Sequence, residues 1–397
     1  MRINVLIAVF ISLFSLSTFK LFDLSISNNG FFAQVAANQK SYGFQDTALR
    51  GEIFIKDGIN GELATLATNR AASGSYEQFS RFYPEGVLAS SVVGFLGFQD
   101  NARAGQYGLE EHYEPWLSGR VGLKNILDRV GLGNGSTQGS SLILTLDKNI
   151  QFFAEKKLED LVSKWGASGG NVMVQDPQSG AILAMASLPN FDPNRYSDFQ
   201  YANFVNSNIQ ETFEPGSSFK TVTMAAALDS GSVTPETSYF DSGEVKLAGY
   251  SIRNYDLKSH GYQTMTNVLE KSINTGAIFA MEKTGRDRFL EYLERFQFGR
   301  KTDIDLTGEV SGDIKNLYTG RPINFATAAF GQGVAVTPLQ LLNAYSAVAN
   351  GGKVMRPYVV EKIVKPGGQT VEVRPEVVAE PLTPETSKTL TAMLVSV

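Results

Sequence analysis

The chain has 397 residues, of which 43% are apolar, 11% aromatic and 19% charged, an ordinary globular composition with room for two domains and at least one large core. A net charge of −5 and the lack of any Lys/Arg run argue against a nucleic-acid partner. Cysteine is absent, which excludes disulfides and thiol chemistry; with only His112 and His260, a metal site of the usual His/Cys type and a Ser-His-Asp triad are both disfavoured.

The first element is an uncharged run from Ile3 to Phe19, set between Arg2 and Lys20. Its place at the extreme N-terminus behind a positive charge favours a membrane anchor over a buried helix, with the N-terminus cytoplasmic and the rest outside. The large residues Leu21, Phe22 and Leu24 follow where a signal cleavage site would need small ones, so the anchor, residues 1–24, is read as uncut. Residues 25–140 are rich in Gly, Ser, Asn and aromatic residues, with short extended pieces such as Glu52–Ile55 and Val87–Phe98. They read as an extended, β-rich module that ends in the linker-like stretch Gly131–Ser141.

From residue 141 to 397 the pattern is that of one large domain. Leu142–Leu146 reads as a strand, and Asp147 can cap a helix running to about Val162. Asn171–Gln175 and Ala181–Ser187 form a hairpin across the turn residues Asp176-Pro177-Gln178-Ser179-Gly180. Pro215-Gly216 opens a helix to about Leu228 that is apolar all round and so belongs in a core. A further apolar helix covers Thr275–Met281, and Thr337-Pro338 caps another that stops at Asn350-Gly351-Gly352. A last helix begins near Pro384. Strands with central helices indicate an α/β or α+β domain.

The chemistry gathers at the start of the central helix. Ser217 and Lys220 are three residues apart, a spacing that shares one helix face. A serine hydroxyl needs a base, and a lysine desolvated enough to lose its proton can serve. The helix N-terminus adds positive potential where an alkoxide develops. By itself S-x-x-K is weak: Ser17-Thr18-Phe19-Lys20 repeats it at the end of the apolar run, and an ordinary helix cap explains such a serine equally well. Ser272-Ile273-Asn274, ahead of the next apolar helix, adds a second serine able to relay a proton and an amide able to bind a peptide group; S-x-N too recurs by chance, at Ser27-Asn28-Asn29.

A set of ordered blocks decides between these readings. They include Arg50-Gly51-Glu52-Ile53, Gly94-Phe95-Leu96-Gly97, Tyr107-Gly108-Leu109-Glu110, Val174-Gln175-Asp176-Pro177, Pro189-Asn190-Phe191-Asp192-Pro193-Asn194, Glu214-Pro215-Gly216-Ser217-Ser218-Phe219-Lys220 and Phe330-Gly331-Gln332-Gly333. In this order, from about residue 50 to 352, the sequence closely resembles a class B penicillin-binding protein of the division or elongation transpeptidase type. The resemblance implies a serine β-lactamase-like transpeptidase fold, an antiparallel sheet with helices on both faces, over residues 141–397. It makes residues 25–140 a pedestal or dimerisation-like domain and the N-terminal run a transmembrane helix, with the catalytic domain outside the plasma membrane. It implies Ser217 as nucleophile, Lys220 as general base, Ser272 as proton relay and Asn274 as a ligand for the substrate amide, with no cofactor. The implied partners are peptidoglycan stem peptides, β-lactams, the membrane, and a SEDS-type lipid II glycan polymerase with other divisome or elongasome proteins.

Two departures stand out. Lys283-Thr284-Gly285 spells the family's third motif, but it lies in line with the Asn274 helix, roughly 13 Å beyond Asn274 at 1.5 Å per residue, where it cannot readily share a pocket with Ser217. Lys283 is therefore read as a helix-end lysine, and the third motif is expected beyond Val397. The interval from Gly51 to Gly108 is short, which implies a compact pedestal. A β-lactamase or β-lactam sensor on the same fold would lack the blocks between 50 and 120, and a non-catalytic cell-wall scaffold would not need the set Ser217, Lys220, Ser272 and Asn274.

Overall fold

The computed structural model describes residues 49–58, 61–71, 79–99, 102–119 and 138–397, together with residues 10, 13, 14 and 18. The expected anchor over 1–24 thus lies almost wholly outside the described residues; among those described, no helix is long and apolar enough to cross a membrane. The chain divides into two units. The smaller includes Arg70–Ser80 and Gly97–Ala104; in it the Arg103 guanidinium lies over the Phe98 ring, 5.5 Å from its centroid. The larger includes Ala48–Asn69, Arg81–Leu96 and Gly105–Val397.

Among the described residues the main sheet has six strands, in the spatial order Thr370–Glu372, Val360–Val364, Ser141–Asp147, Ile53–Asp57, Glu62–Ala71 and Phe79–Phe82. Strand alternation turns Ile53 and Ile55 inward, both 0% exposed, against Leu142, Leu144 and Leu146 of the neighbouring strand. Within residues 141–397, Val360–Val364 pairs antiparallel with Ser141–Asp147 and with Thr370–Glu372; Ile53–Asp57, from the segment ahead of that domain, joins the same sheet in parallel with Ser141–Asp147, Ile53 opposite Leu142. A parallel pair needs a long crossover, and the chain between Asp57 and Ser141 supplies one.

Asp147 caps the helix Lys148–Trp165 as expected, its carboxylate accepting from the backbone N–H groups of Asn149 and Ile150 at 2.9 and 3.0 Å. The strands Gly170–Gln175 and Ile182–Leu188 form the expected hairpin, and the Asp176 carboxylate accepts from Gln178 N at 3.0 Å to close its turn. The apolar stripe of the Lys148 helix is only partly covered. Leu158 is buried, but Phe153 and Leu161 stand 60% and 53% exposed and line an open groove with Val172 and Val174.

Two apolar clusters fill the larger unit. One backs the main sheet. The other surrounds the helix Lys220–Asp229, whose residues from Lys220 to Ala227 are all buried, as an all-round apolar helix must be. Against that helix packs Asn274–Thr284, and Pro338–Ala349 and Pro384–Val395 complete the layer. Thr337 caps Pro338–Ala349 through a reciprocal pair of bonds with Gln340, at 3.1 and 2.9 Å.

Candidate active site

The approach to Ser217 is a single 3-10 turn, Gly216–Phe219, that runs into the helix Lys220–Asp229. Gly216 has φ 57°, a left-handed conformation that favours glycine, and it swings the chain so that Ser217 enters the turn exposed. In a 3-10 turn, side chains at i and i+3 eclipse. Lys220 Nζ accordingly lies 3.1 Å from Ser217 Oγ.

Lys220 is 2% exposed. Its amine meets Ser217 Oγ at 3.1 Å, Ser272 Oγ at 2.9 Å and Ser272 O at 2.6 Å. Burial pushes its pKa down to about 8. A neutral amine has two N–H bonds and one lone pair. The carbonyl of Ser272 can only accept, so it takes one N–H; the lone pair then faces one of the two hydroxyls, and the other receives the second N–H. This hydrogen-bond set lets a proton pass between Ser217 Oγ and Ser272 Oγ through one nitrogen.

Ser272 reaches Lys220 from the link between the helices Met265–Glu270 and Asn274–Thr284, in a left-handed conformation with φ 51°. A non-glycine residue held there carries local backbone strain, of order 1–3 kcal/mol, that its surroundings must sustain. Asn274 is the first residue of the second helix, and its Nδ2 donates to Arg253 O at 3.0 Å. That bond points the amide N–H group at the hairpin and leaves Oδ1 as the acceptor. The structure thus brings Ser217, Lys220 and Ser272 into direct contact and sets Asn274 two residues along the same segment. Lys283 stays apart: it is exposed at the far end of the Asn274 helix, with Nζ 5.3 Å from the Phe279 ring centroid. In the other S-x-x-K copy, Ser17, Phe19 and Lys20 lie outside the described residues.

The sequence pattern of the penicillin binding protein transpeptidase domain matches residues 170–397. The chain belongs to this family. Its penicillin-binding relatives include proteins that are far longer. It is 34% identical over 301 residues to stage V sporulation protein D of Bacillus subtilis, covering 73% of this chain and 46% of that one. To penicillin-binding protein PbpB of Mycolicibacterium smegmatis it is 31% identical over 363 residues, covering 87% and 54%. The peptidoglycan D,D-transpeptidase FtsI of Escherichia coli matches at 28% identity over 323 residues, covering 79% and 54%. The chain therefore spans about half the length of these curated relatives. Among solved structures, penicillin binding protein 3 of Mycobacterium tuberculosis superposes with a TM-score of 0.76 at 30% identity, covering 88% of this chain and 74% of that chain. Its complex with aztreonam gives 0.77 at the same identity and coverage.

Several residues that shape the turn around Ser217 escape sequence reasoning. Gly331 is the clearest. Its carbonyl accepts from Gly216 N at 3.0 Å, and a Cβ on it would lie 2.2 Å from Gly216 O. The block Phe330-Gly331-Gln332-Gly333 is legible as a motif, but its job as a backbone buttress for the nucleophile turn needs the folded chain. Phe213 and Val336 tie the same two segments by reciprocal backbone bonds of 3.0 Å, and Glu214 accepts from Gly333 N at 2.7 Å. Behind the turn, the Tyr345 hydroxyl donates to Ser218 O at 2.8 Å.

Proposed function

We propose that this chain carries the nucleophile and proton relay of a peptidoglycan D,D-transpeptidase. The observation that carries the reading is the buried Lys220 amine in contact with both Ser217 Oγ and Ser272 Oγ. Neutral Lys220 takes the Ser217 proton as Oγ attacks the penultimate D-alanine carbonyl of a stem peptide. The Ser217 N–H, at the head of the helix, faces the developing oxyanion. Collapse breaks the amide bond; the departing D-alanine nitrogen receives the proton from Lys220 by way of Ser272, leaving an ester on Ser217 and a neutral amine. An amine of a second stem then attacks the ester, gives up a proton along the same route, and returns Ser217 to its hydroxyl form. Asn274 Oδ1 accepts from an amide N–H of the donor stem. A β-lactam follows the first half, its ring opening onto Ser217. No cofactor enters this scheme.

We place the chain at the plasma membrane, held by residues 1–24, with 25–140 as a pedestal and 141–397 as the catalytic domain outside the membrane. A SEDS-type lipid II glycan polymerase and the division or elongation machinery are the partners this arrangement suits. The relatives named as D,D-transpeptidases and the β-lactam complex of a structural neighbour support the reaction class.

Labelling of the whole protein by a fluorescent penicillin tests the core of this reading. Label is expected on the native protein and none on Ser217→Ala. Undiminished labelling of that variant would remove Ser217 from the nucleophile's role.

A further inference from the structure

The Asn274 helix starts without a cap of its own. Its N-cap residue is Ile273, 1% exposed, with no polar side-chain atom to offer the first turn. An uncapped, buried helix start leaves backbone N–H groups without partners. Here the missing partner comes from elsewhere in the chain. Asn254 Oδ1 accepts from Thr275 N at 3.2 Å. Asn254 is itself held by Asp241 Oδ2, which accepts from Asn254 Nδ2 at 2.8 Å and from His260 N at 2.9 Å. The other oxygen, Oδ1, accepts from Thr275 Oγ1 at 2.7 Å and from Gly243 N at 2.8 Å.

Asp241 is 0% exposed, and each oxygen of its carboxylate has two donors. Burial alone would raise its pKa, but the bonds from Thr275, Gly243, His260 and Asn254 outweigh that and hold it below the usual carboxylate range. A negative charge at the head of a helix also meets the positive end of the helix dipole. Asp241 ends the ribbon that pairs Ser238–Asp241 with Gly261–Thr264. Through Gly243 it also sets the start of the next hairpin, Glu244–Leu247 with Tyr250–Arg253. That second hairpin supplies the Arg253 carbonyl that fixes the Asn274 side chain. Both ends of the Asn274 environment, helix start and side-chain partner, thus run back to one carboxylate.

We propose that Asp241 is a positioning residue for acyl transfer, a cap supplied from the hairpin that fixes the orientation of the Asn274 amide through Thr275, Asn254 and Arg253. It touches neither Ser217 nor Lys220 among the hydrogen bonds of the site. Its action is through Asn274, and the inference rests on the acyl-transfer reading of Ser217 given above.

Asp241→Asn preserves shape but, whichever way its amide is turned, sets an NH2 group against a backbone donor, Gly243 N on one side or His260 N on the other, so it breaks the arrangement with little change of volume. The experiment is a double-mutant cycle on the rate of fluorescent-penicillin labelling in the whole protein, with Asn274→Ala as the second substitution. Asp241→Asn is expected to slow labelling about tenfold when Asn274 is present and less than about twofold in the Asn274→Ala background. Equal slowing in both backgrounds would show a general structural role and overturn the proposal, as would an unchanged rate with Asn274 present. If Asp241→Asn does not fold, Thr275→Val removes a single bond to the carboxylate and is read in the same cycle with the same two outcomes. Ser217→Ala runs alongside: label on that variant refutes the nucleophile, whereas its absence with an additive cycle refutes the role of Asp241 alone.

Discussion

Lys220 is the residue on which the chemistry turns. Its depressed pKa, about 8, comes from burial, and no carboxylate is among its hydrogen-bond partners. The free base is the active form, so the labelling rate is expected to rise about tenfold per pH unit below that value and to level off above it. The stability consequence has a definite sign. Between about 8 and the ordinary lysine value of 10.5, the unfolded chain binds more protons than the folded one, so stability rises with pH across that window. Lys220→Arg keeps a cation and removes the base, since a guanidinium does not deprotonate in proteins. Its labelling rate is expected to fall by about a hundredfold or more at every pH from 7 to 9. A rate that stays independent of pH between 6 and 9 in the native protein would contradict a lysine base. The S-x-x-K pair is legible in sequence because a single turn brings its members together. Asp241 and Arg253 are not: their partners Thr275 and Asn274 lie on another element, and the chain order carries no signal for a cap given in trans.

At the level of elements, local rules read well where the cause is local. Asp147 and Thr337 cap their helices as their side chains predict, and the Asp176 turn closes its hairpin. They read less well where packing decides. The apolar residues of the Lys148 helix are spaced like a core-facing stripe, yet Phe153 and Leu161 stand open, because periodicity identifies a face and not its partner. Two substitutions separate site from scaffold. Gly331→Ala would place a methyl group 2.2 Å from Gly216 O at a residue with φ 77°, so both sterics and backbone conformation oppose it. It is expected to slow labelling strongly and to cost about 2 kcal/mol or more in urea unfolding. Lys283→Ala, at the exposed end of the Asn274 helix, is expected to label within about twofold of the native rate, with a stability change near the roughly ±0.5 kcal/mol of ordinary surface sites. Loss of labelling in Lys283→Ala would place that lysine in the site after all.

For the whole molecule, the ordered blocks that carry the family resemblance acquire a physical reason in one buried cluster. Arg50 and Glu110 come from blocks far apart in sequence, and the fold joins them: Arg50 Nε donates to Glu110 Oε2 at 2.7 Å, and Arg81 Nε donates to Oε1 at 2.7 Å. The Tyr83 hydroxyl donates to the same Oε1 at 3.2 Å, and Arg81 Nη1 reaches Gly51 O at 2.8 Å. Glu110 is 0% exposed; burial alone would raise its pKa, but Arg50 and Arg81 more than offset this and hold it below the usual range. Its stabilisation is therefore present above the pKa of the unfolded chain and is lost as pH falls through the lower folded value. Removing the carboxylate leaves two guanidinium groups buried around an empty position, the case in which breaking a buried pair is most costly. Glu110→Ala is accordingly expected to lose about 3–5 kcal/mol in urea unfolding at neutral pH. Glu114 offers the comparison, since it also pairs with Arg50 at 2.7 Å but is 19% exposed and leaves Arg50 its bond to Glu110. Glu114→Ala is expected to cost about 1 kcal/mol. If the two variants unfold at the same urea concentration, the cluster is not what locks the segment around residue 50 to the helices near residue 110.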